Sequence, residues 1–183
     1  EKLSPFLAEY VFDQKAGEKV DFIKDADGGP LVLAFVHEIT RPSIALLRLV
    51  LEYAHVRGKD GLAAGVVFLT DDPTNMRAQL NRARHALPKG VPITISPEGI
   101  DGPGSYGLNR KVSVTVLVAK ENRIAANFAL VQPGVAVDAP KIGAAIADVL
   151  GDSKKPTLAD MGGAQGRYRA AAQMADVPEF RSM

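Results

Sequence analysis

One short apolar run, Leu31–Val36, constrains the fold of this chain more than any other feature of its sequence. The run has the sequence LVLAFV, without a polar side chain, and the turn-forming residues Gly28, Gly29 and Pro30 precede it. Unbroken apolar runs of this length are typical of strands that are buried on both faces, whereas strands with one solvated face alternate between apolar and polar residues. We therefore expect Leu31–Val36 to be the central strand of a sheet that is covered on both faces.

Helical patterns and further apolar runs alternate along the rest of the chain. Arg41 and Pro42 open a long helix, since proline is favoured in a first helical turn. The predicted strands are residues 31–36, 63–69, 91–95, 112–118 and 124–130, and the predicted helices are residues 41–57, 73–86 and a last one capped by Asp138 and stopped by Gly151. Residues 119–123 are few enough to join the last two strands as an antiparallel hairpin, with Asn122 at positive φ. The predicted order is β-α-β-α-β followed by β-β-α.

This order of elements resembles that of the thioredoxin-like fold, and particular residues resemble its redoxin and peroxiredoxin-like branch. The segment Thr40-Arg41-Pro42-Ser43 is similar to the Cys-Gly-Pro-Cys motif between the central strand and its helix, with the proline kept and both cysteines replaced. Ser113 occupies the place of the cis-proline that opens the hairpin in this branch. The resemblance therefore identifies these five residues as the positions of a degenerate active site.

Two further segments carry the same resemblance. Residues 113–118 look like the Pro-Thr-Thr-Phe-Leu-Ile-Asp segment of the branch, and residues 16–22 resemble the short hairpin element that it adds before the central strand. The resemblance covers about residues 5–150. It implies an α/β fold, a thioredoxin-like three-layer sandwich with a central mixed sheet.

The replaced cysteines exclude dithiol chemistry at this site, since the chain contains no cysteine. A thioredoxin dithiol reacts because the N-terminus of a helix stabilises its thiolate, and a hydroxyl gains too little there to ionise near neutral pH. Thr40 and Ser43 are expected to cap the helix. A serine-type nucleophile would need a positioned base. His55 lies roughly 20 Å along the helix from Thr40, and nothing in the sequence directs His37 at the hydroxyls, so no catalytic residue is predicted.

Two pairs of residues raise the question of a metal site. His37 and Glu38 are adjacent, and Glu52 and His55 share one stripe of a helix, so each pair could supply two ligands. Such pairs are common on solvated surfaces, and the three histidines have no recognised ligand spacing. We expect no metal and no other cofactor.

Residues 102–107 have the Gly-x-Gly-x-x-Gly spacing of a dinucleotide-binding fingerprint. The fingerprint binds pyrophosphate only where it follows a strand and opens a helix. Here a strand follows it, so we expect its glycines to form turns.

The second predicted helix and the residues after it carry the one local excess of positive charge. These residues are Arg77, Arg82, Arg84, His85 and Lys89, with no carboxylate between Asp72 and Glu98. Nucleic acid or an acidic partner could use them, but no aromatic residues are interleaved to stack on bases. An ordinary solvated face is favoured, and no nucleic acid is expected.

Arg41 gives the sharpest hypothesis about binding. A cation in the first turn of a helix opposes the positive end of the helix dipole. It is tolerated where the side chain extends away, pairs with a carboxylate such as Glu38, or meets an anion. The helix N–H groups, the hydroxyls of Thr40 and Ser43 and the guanidinium of Arg41 would together form a pocket for a carboxylate or a phosphate.

Composition and charge limit the partners of the chain. It has 183 residues, 46% of them hydrophobic and 23% charged, and its net charge is +1, as in ordinary globular proteins. This balance gives no general argument for nucleic acid or an anionic membrane, and no apolar run reaches the length of a membrane span. The sequence indicates no oligomeric state.

The composition changes after Gly151. We expect residues 1–151 to form the thioredoxin-like domain and residues 152–183 to be a polar linker and a C-terminal tail. The tail has four apolar anchors, which favour docking on this domain or on a partner: Met174, Val177, Phe180 and Met183. The sequence begins at Glu1 rather than methionine, which fits either a mature chain after removal of a targeting segment, and so an exported or periplasmic protein, or a trimmed chain.

Two classes of function fit these observations. The first is a non-redox binding or interaction module, in which the former dithiol site binds an extended peptide, a small anion or a partner subunit. The second is a redoxin-class thiol-disulfide oxidoreductase or peroxidase-related protein that works with a cysteine-bearing partner. The replacement of both cysteines and of the cis-proline favours the first.

Overall fold

The structure is a computed structural model that describes residues 2–162. The strands are β1 Ala8–Tyr10, β2 Lys19–Val20, β3 Leu31–Val36, β4 Ala63–Phe68, β5 Ile93–Ile95, β6 Val114–Lys120 and β7 Arg123–Leu130. The named helices are α1 Phe22–Ala26, α2 Arg41–Val56, α3 Pro73–Arg82 and α4 Val135–Leu150, and residues 158–162 are also helical. None of the helices in this range is long and apolar enough to cross a membrane.

Strand β3 lies inside a seven-stranded mixed sheet whose order is β2-β1-β5-β4-β3-β6-β7. It pairs in parallel with β4 and antiparallel with β6, and all six of its residues are buried. The apolar run therefore forms a central strand, as predicted. The predicted order of elements from β3 onward is also confirmed. Residues 16–22, which resemble a short hairpin element, supply only one strand of an antiparallel hairpin, β2, and its other strand, β1, lies before them.

The side chains of the central strands alternate between two hydrophobic clusters, one on each face of the sheet. Val32, Ala34 and Val36 pack with residues of α2, α3 and α4. Leu33 and Phe35 pack on the other face with α1, the N-terminal segment and partly buried residues of the loop after β5. Helices on one face and this mixed layer on the other make the three-layer sandwich that the resemblance implies.

The turn between β6 and β7 is tighter than the five residues expected from the sequence. The strands extend to Lys120 and from Arg123, so that only Glu121 and Asn122 connect them. Both residues have positive φ, 56° and 62°. Two consecutive residues in this region give the twist that suits a two-residue hairpin, and the expectation for Asn122 is confirmed.

The expected start of the last helix was wrong. Helix α4 begins at Val135 with Gly134 as its N-cap, so Asp138 lies inside the first turn. The Asp138 carboxylate accepts a hydrogen bond from the Gly134 N–H at 2.8 Å. It thereby stabilises the helix start from within, where acidic residues are favoured by the helix dipole. Gly151 ends the helix in the left-handed region, as predicted.

Residues 152–162 contact the rest of the domain and are not simply a polar linker. Asp152 accepts two hydrogen bonds from the Arg57 guanidinium, at 2.6 and 2.9 Å. Met161 is only 3% exposed and belongs to the core cluster that includes α4. It fits there because Gly143 has no side chain to occupy the same space. The four apolar anchors expected in the tail, from Met174 to Met183, lie outside the described residues.

Candidate functional site

The positions of the degenerate motif lie together at one edge of the sheet, where β3 ends, α2 begins and β6 starts. Val36 pairs with Val114 in the register of β3 and β6. Just beyond this pair, the Ser113 carbonyl accepts hydrogen bonds from the N–H groups of His37 and Glu38, at 2.9 and 3.3 Å. Residues 40–43 and Ser113 are far apart in sequence. The antiparallel pairing of β3 and β6 therefore brings them together in space.

Thr40 and Ser43 form a reciprocal cap at the start of α2, as expected for hydroxyl residues there. The Thr40 hydroxyl accepts a hydrogen bond from the Ser43 N–H at 3.1 Å, and the Ser43 hydroxyl accepts one from the Thr40 N–H at 2.9 Å. Ser43 is fully buried, and its hydroxyl has two acceptors within reach, the carbonyls of Glu38 and Thr40. This arrangement is a capping box, with Pro42 at the second helical position.

The cap uses most of the donors that a bound anion would need. The Thr40 and Ser43 N–H groups bond to the two hydroxyls, the Ile44 N–H bonds to the Thr40 carbonyl, and Pro42 has no N–H. At the N-terminus of α2, the Arg41 N–H and guanidinium are the donors that the cap does not use. Arg41 is exposed, and among the described residues it forms no ion pair with Glu38 or with another carboxylate.

Ser113 is 5% exposed and joins three elements through its side chain. Its hydroxyl lies 2.8 Å from Glu38 Oε1 and 3.0 Å from the Val131 carbonyl oxygen, and both atoms are acceptors. The peptide bonds of the described residues are all trans, so the bond before Ser113 differs from that of a cis-proline. The hydroxyl supplies instead a polar link between the end of β3 and the residue after β7.

His37 does not serve as a base for the hydroxyls of the cap. Its Nε2 atom lies 2.9 Å from the Ile100 carbonyl oxygen. A carbonyl can only accept, so Nε2 is the donor in this contact. Nδ1 is buried without a hydrogen-bond partner. The imidazole therefore fastens the loop after β5 to the end of β3.

The same loop carries an exposed ion pair beside His37. Arg110 donates two hydrogen bonds to Asp101, at 2.7 and 3.0 Å, and this contact holds the pKa of Asp101 below its usual value. Within the loop, residues 104–106 form a single 3-10 turn, and Gly102 and Gly107 have positive φ. The glycines of residues 102–107 therefore form turns, as the sequence predicts.

The other polar pairs of the sequence have different surroundings. Glu52 accepts a hydrogen bond from the Lys89 N–H, and exposed His55 has its ring against Gly90. Residues 2–162 contain no group of three or more histidine or acidic side chains arranged to hold a metal.

Two arginines of the basic region have acidic partners that lie far away in sequence. Arg77 bonds to Glu9 at 2.6 Å, and Arg84 bonds to Asp13 at 2.7 Å. Glu9 lies in β1, and Asp13 lies just after it. The positive charge of the region is thus partly neutralised, which weakens the case for nucleic acid.

Two exposed valines are functional candidates that the sequence patterns did not indicate. Val131 follows β7 and is 61% exposed, and Val137 in the first turn of α4 is 62% exposed. Val131 is also the residue whose carbonyl lies beside the Ser113 hydroxyl. The uncharged stretch from residue 124 to 137 was the signal that could have drawn attention to them.

No known family model matches the sequence, and no curated protein matches it either. Solved structures do resemble the chain. One is a Chlorobium tepidum protein given the name thiol:disulfide interchange protein DsbE, with a TM-score of 0.64, 15% identity, and 82% of this chain and 96% of that chain covered. Another is the exposed lipoprotein thioredoxin Etrx1 of Streptococcus pneumoniae, with a TM-score of 0.54, 19% identity, and 72% and 90% covered. StoA of Bacillus subtilis has a TM-score of 0.50 and 15% identity, with 69% and 87% covered.

At these identities the likeness concerns the fold. The sheet order, the position of α2 after the central strand and the hairpin before α4 agree with the order of elements in the resemblance. Thr40 and Ser43, which the sequence resemblance identifies with the positions of the dithiol, are hydrogen-bonded to each other's backbone. The chain has the thioredoxin-like fold, and its candidate site contains no cysteine.

Proposed function

We propose that this chain is a non-redox binding module, which takes up an extended segment of a protein partner at the edge of the sheet where α2 begins. The observation that carries the proposal is the exposure of two valines, each more than 60% exposed: Val131, whose carbonyl lies beside the Ser113 hydroxyl, and Val137 in the first turn of α4. A contiguous exposed apolar patch rimmed by polar groups marks an interaction surface, and we infer that these two valines belong to such a patch. Here the polar neighbour is the Ser113–Glu38 contact.

Arg41 adds a charge preference to this surface. We infer that an acidic group of the partner meets the Arg41 guanidinium and N–H, since the cap leaves these donors over and the helix end favours an anion. Thr40 and Ser43 then contribute by fixing the geometry of the first turn rather than by holding the anion with their hydroxyls. The preferred partner segment therefore combines an apolar side chain with a carboxylate.

The chemistry of the cap supports binding over catalysis. A hydroxyl nucleophile needs a base that can take its proton, but the His37 Nε2 atom bonds to Ile100 and the Ser43 hydroxyl is buried in the cap. The likeness to thiol-disulfide oxidoreductases supports the second class of function at the level of the fold alone. A cysteine-bearing partner would have to supply the whole of the redox chemistry.

A peptide selection tests the proposal. Peptides from a random library would be selected on the wild-type chain, and the affinities of the enriched peptides would be measured for Arg41→Gln, Val137→Ser and the control Val56→Ser. Val56 is 58% exposed at the opposite end of α2. We expect enriched peptides that contain acidic and apolar residues, and that lose affinity with the first two variants but keep it with the control.

Two results would contradict the proposal. One is a set of enriched peptides that bind all three variants equally, which would place the interaction elsewhere on the chain. The other is catalytic reduction of insulin or turnover of peroxide by the purified chain, which would show redox chemistry without a thiol. A redox reaction that appears only with an added cysteine-bearing partner would favour the second class of function.

A further inference from the structure

The two edges of the sheet differ in how well their sequences protect them. At one edge, β2 has only two residues, one of them the exposed Lys19. At the other edge, β7 has eight residues, and no charged residue occurs between Arg123 and Asp138. Proteins usually protect an edge with a very short strand, a lysine or a proline, because free backbone groups there can pair with another chain. Strand β7 has none of these after Arg123.

The backbone of β7 presents hydrogen-bonding groups on its outer side. The Leu130 carbonyl accepts a hydrogen bond from the Ser113 N–H, so it faces β6. Backbone groups alternate in direction along a strand, so the N–H and carbonyl groups of Asn127 and Ala129 face away from β6. These groups are in the direction from which an additional strand would approach.

Within residues 2–162, no other strand pairs with the outer side of β7. One isolated bridge joins Arg123 to Lys2, at the beginning of the strand. The pairing with β6 has one irregularity, which is also near that end, beside Ala119. Three alternate residues of the strand are exposed: Ala125, Asn127 and Ala129. Residues 125–129 therefore form an edge that a further strand can reach.

The sequence of β7 is nearly symmetric about Asn127 in the character of its side chains. Residues 124–130 have the sequence IAANFAL. In an antiparallel pair of two copies centred on Asn127, Ala125 lies opposite Ala129 of the other copy, and Ala126 lies opposite Phe128. The largest of these side chains thus meets one of the smallest, and the two Asn127 amides lie opposite each other. Such self-complementarity is what a two-fold symmetric interface requires.

Burial and charge favour the same occupant. Ala126, Phe128 and Leu130 are partly buried against the core cluster that includes α4, and a second copy would extend this apolar strip across the interface. Antiparallel pairing also keeps the two charged turns, residues 120–123, at opposite ends of the pair, where each lies near the uncharged residues that follow β7 of the other copy. The net charge of +1 per chain adds little repulsion.

We propose that the chain forms a symmetric dimer in which the β7 strands of two copies pair antiparallel about Asn127, so that the two sheets become one continuous sheet. Pairing over so few residues buries less area than a standard interface. The dimer is therefore weak and reversible. This inference does not rest on the proposed partner segment, which contacts Arg41, Val131 and Val137.

Two measurements on the full chain test the dimer and its location. Sedimentation velocity would be recorded at protein concentrations from about 1 μM to about 1 mM, the range of weak association. Hydrogen exchange of the backbone amides would be followed by NMR over the same range. We expect a reversible equilibrium between monomer and dimer, and slower exchange at Asn127 and Ala129 as the concentration rises, because hydrogen-bonded amides are protected.

Charge variants at Asn127 test the register. Asn127→Lys and Asn127→Glu should each weaken the dimer several-fold, because like charges directly opposite each other on paired strands are destabilising. An equimolar mixture of the two variants should dimerise more strongly than either one alone, since opposite charges then meet at the centre. Asn75→Lys and Asn75→Glu, at an exposed position of α3, are the matched controls and should dimerise like the wild type.

Each other outcome would overturn the proposal. A chain that stays monomeric at the highest concentration forms no such dimer, and slow exchange at Asn127 and Ala129 at every concentration would show that another segment of the same chain pairs with β7. A dimer that both Asn127 variants form as well as the wild type does would lie elsewhere on the surface. If the mixture is no stronger than the separate variants, Asn127 is not at the centre of the pair. The peptide selection tests the partner segment separately and is not affected by these results.

Discussion

The contact between Gly143 and Met161 decides whether the segment after α4 belongs to the core, and a double-mutant cycle can measure it. A Cβ atom at Gly143 would lie 2.7 Å from the Met161 sulfur and 3.0 Å from Cγ of Pro156. Both distances are shorter than ordinary van der Waals contacts. The cycle consists of Gly143→Ala, Met161→Ala and the double variant, made in the full chain.

The expected magnitudes follow from burial and helix propensity. Removing a buried methionine side chain costs about 2–5 kcal/mol, and Met161, which packs on one side of α4, should lie near the lower limit. Alanine is favoured over glycine inside a helix by about 1 kcal/mol. In the wild-type background, however, the displaced sulfur should make Gly143→Ala destabilising, by about 1–2 kcal/mol. In the Met161→Ala background it should be nearly neutral or stabilising.

Urea unfolding gives each free energy by linear extrapolation, and the expected coupling between the two sites is about 1 kcal/mol or more. Gly58→Ala is the control, since no atom lies within 4 Å of a Cβ built there, and it should show no coupling to Met161→Ala. If Met161→Ala changed the stability by only a few tenths of a kcal/mol, or if the two changes were additive, the segment would not be part of the core.

Further predictions concern an ion pair, the central strand and the cap. The hydrogen bonds from Arg57 lower the pKa of Asp152 in the folded state. The ionised Asp152 carboxylate therefore stabilises the fold at any pH above the pKa of Asp152 in the unfolded chain. This stabilisation is lost as the pH falls through the lower pKa of Asp152 in the folded state. Asp152→Asn should therefore be less stable than the wild type at pH 7, and urea unfolding should show this deficit shrinking in acid. Phe35→Ala should cost about 3–5 kcal/mol in thermal unfolding, and a change of a few tenths would contradict the central position of β3. Thr40→Val should cost about 1 kcal/mol by loss of the N-cap, whereas Ser43→Val, which fills a fully buried polar position, should cost more. Equal losses for the two variants would show that the burial of Ser43 adds no cost beyond the loss of the cap.

The order of elements could be predicted from the sequence because it depends on local patterns. A run of six apolar residues gives a doubly buried strand wherever it occurs, and a proline in the first turn marks a helix start. The reciprocal cap of Thr40 and Ser43 is equally local, since its partners are three residues apart. The start of α4 was misjudged because Asp138 has the residue type of an N-cap but reaches back to Gly134 from inside the helix.

The surroundings of the candidate site could not be predicted in the same way. The Ser113 hydroxyl contacts Glu38, which is 75 residues away, and His37 contacts Ile100, which is 63 residues away. The sequence showed a region of unopposed positive charge, but Glu9 approaches Arg77 from the N-terminal segment. Contacts of this kind depend on which strands become neighbours and on their register, and local periodicity does not contain that information.

The sequence by itself determined the class of the fold, the central strand and the absence of thiol chemistry. Burial patterns follow from side-chain hydrophobicity along a few residues, and a missing thiolate cannot be replaced by a hydroxyl. The tertiary structure alone decided which polar groups find partners. Thr94 and Thr115 are both buried on strands, yet the Thr94 hydroxyl bonds to the Val66 carbonyl, whereas Thr115 lines a small cavity. A hydrogen bond needs two atoms within about 3 Å, and for residues that are distant in sequence only the folded chain fixes that distance.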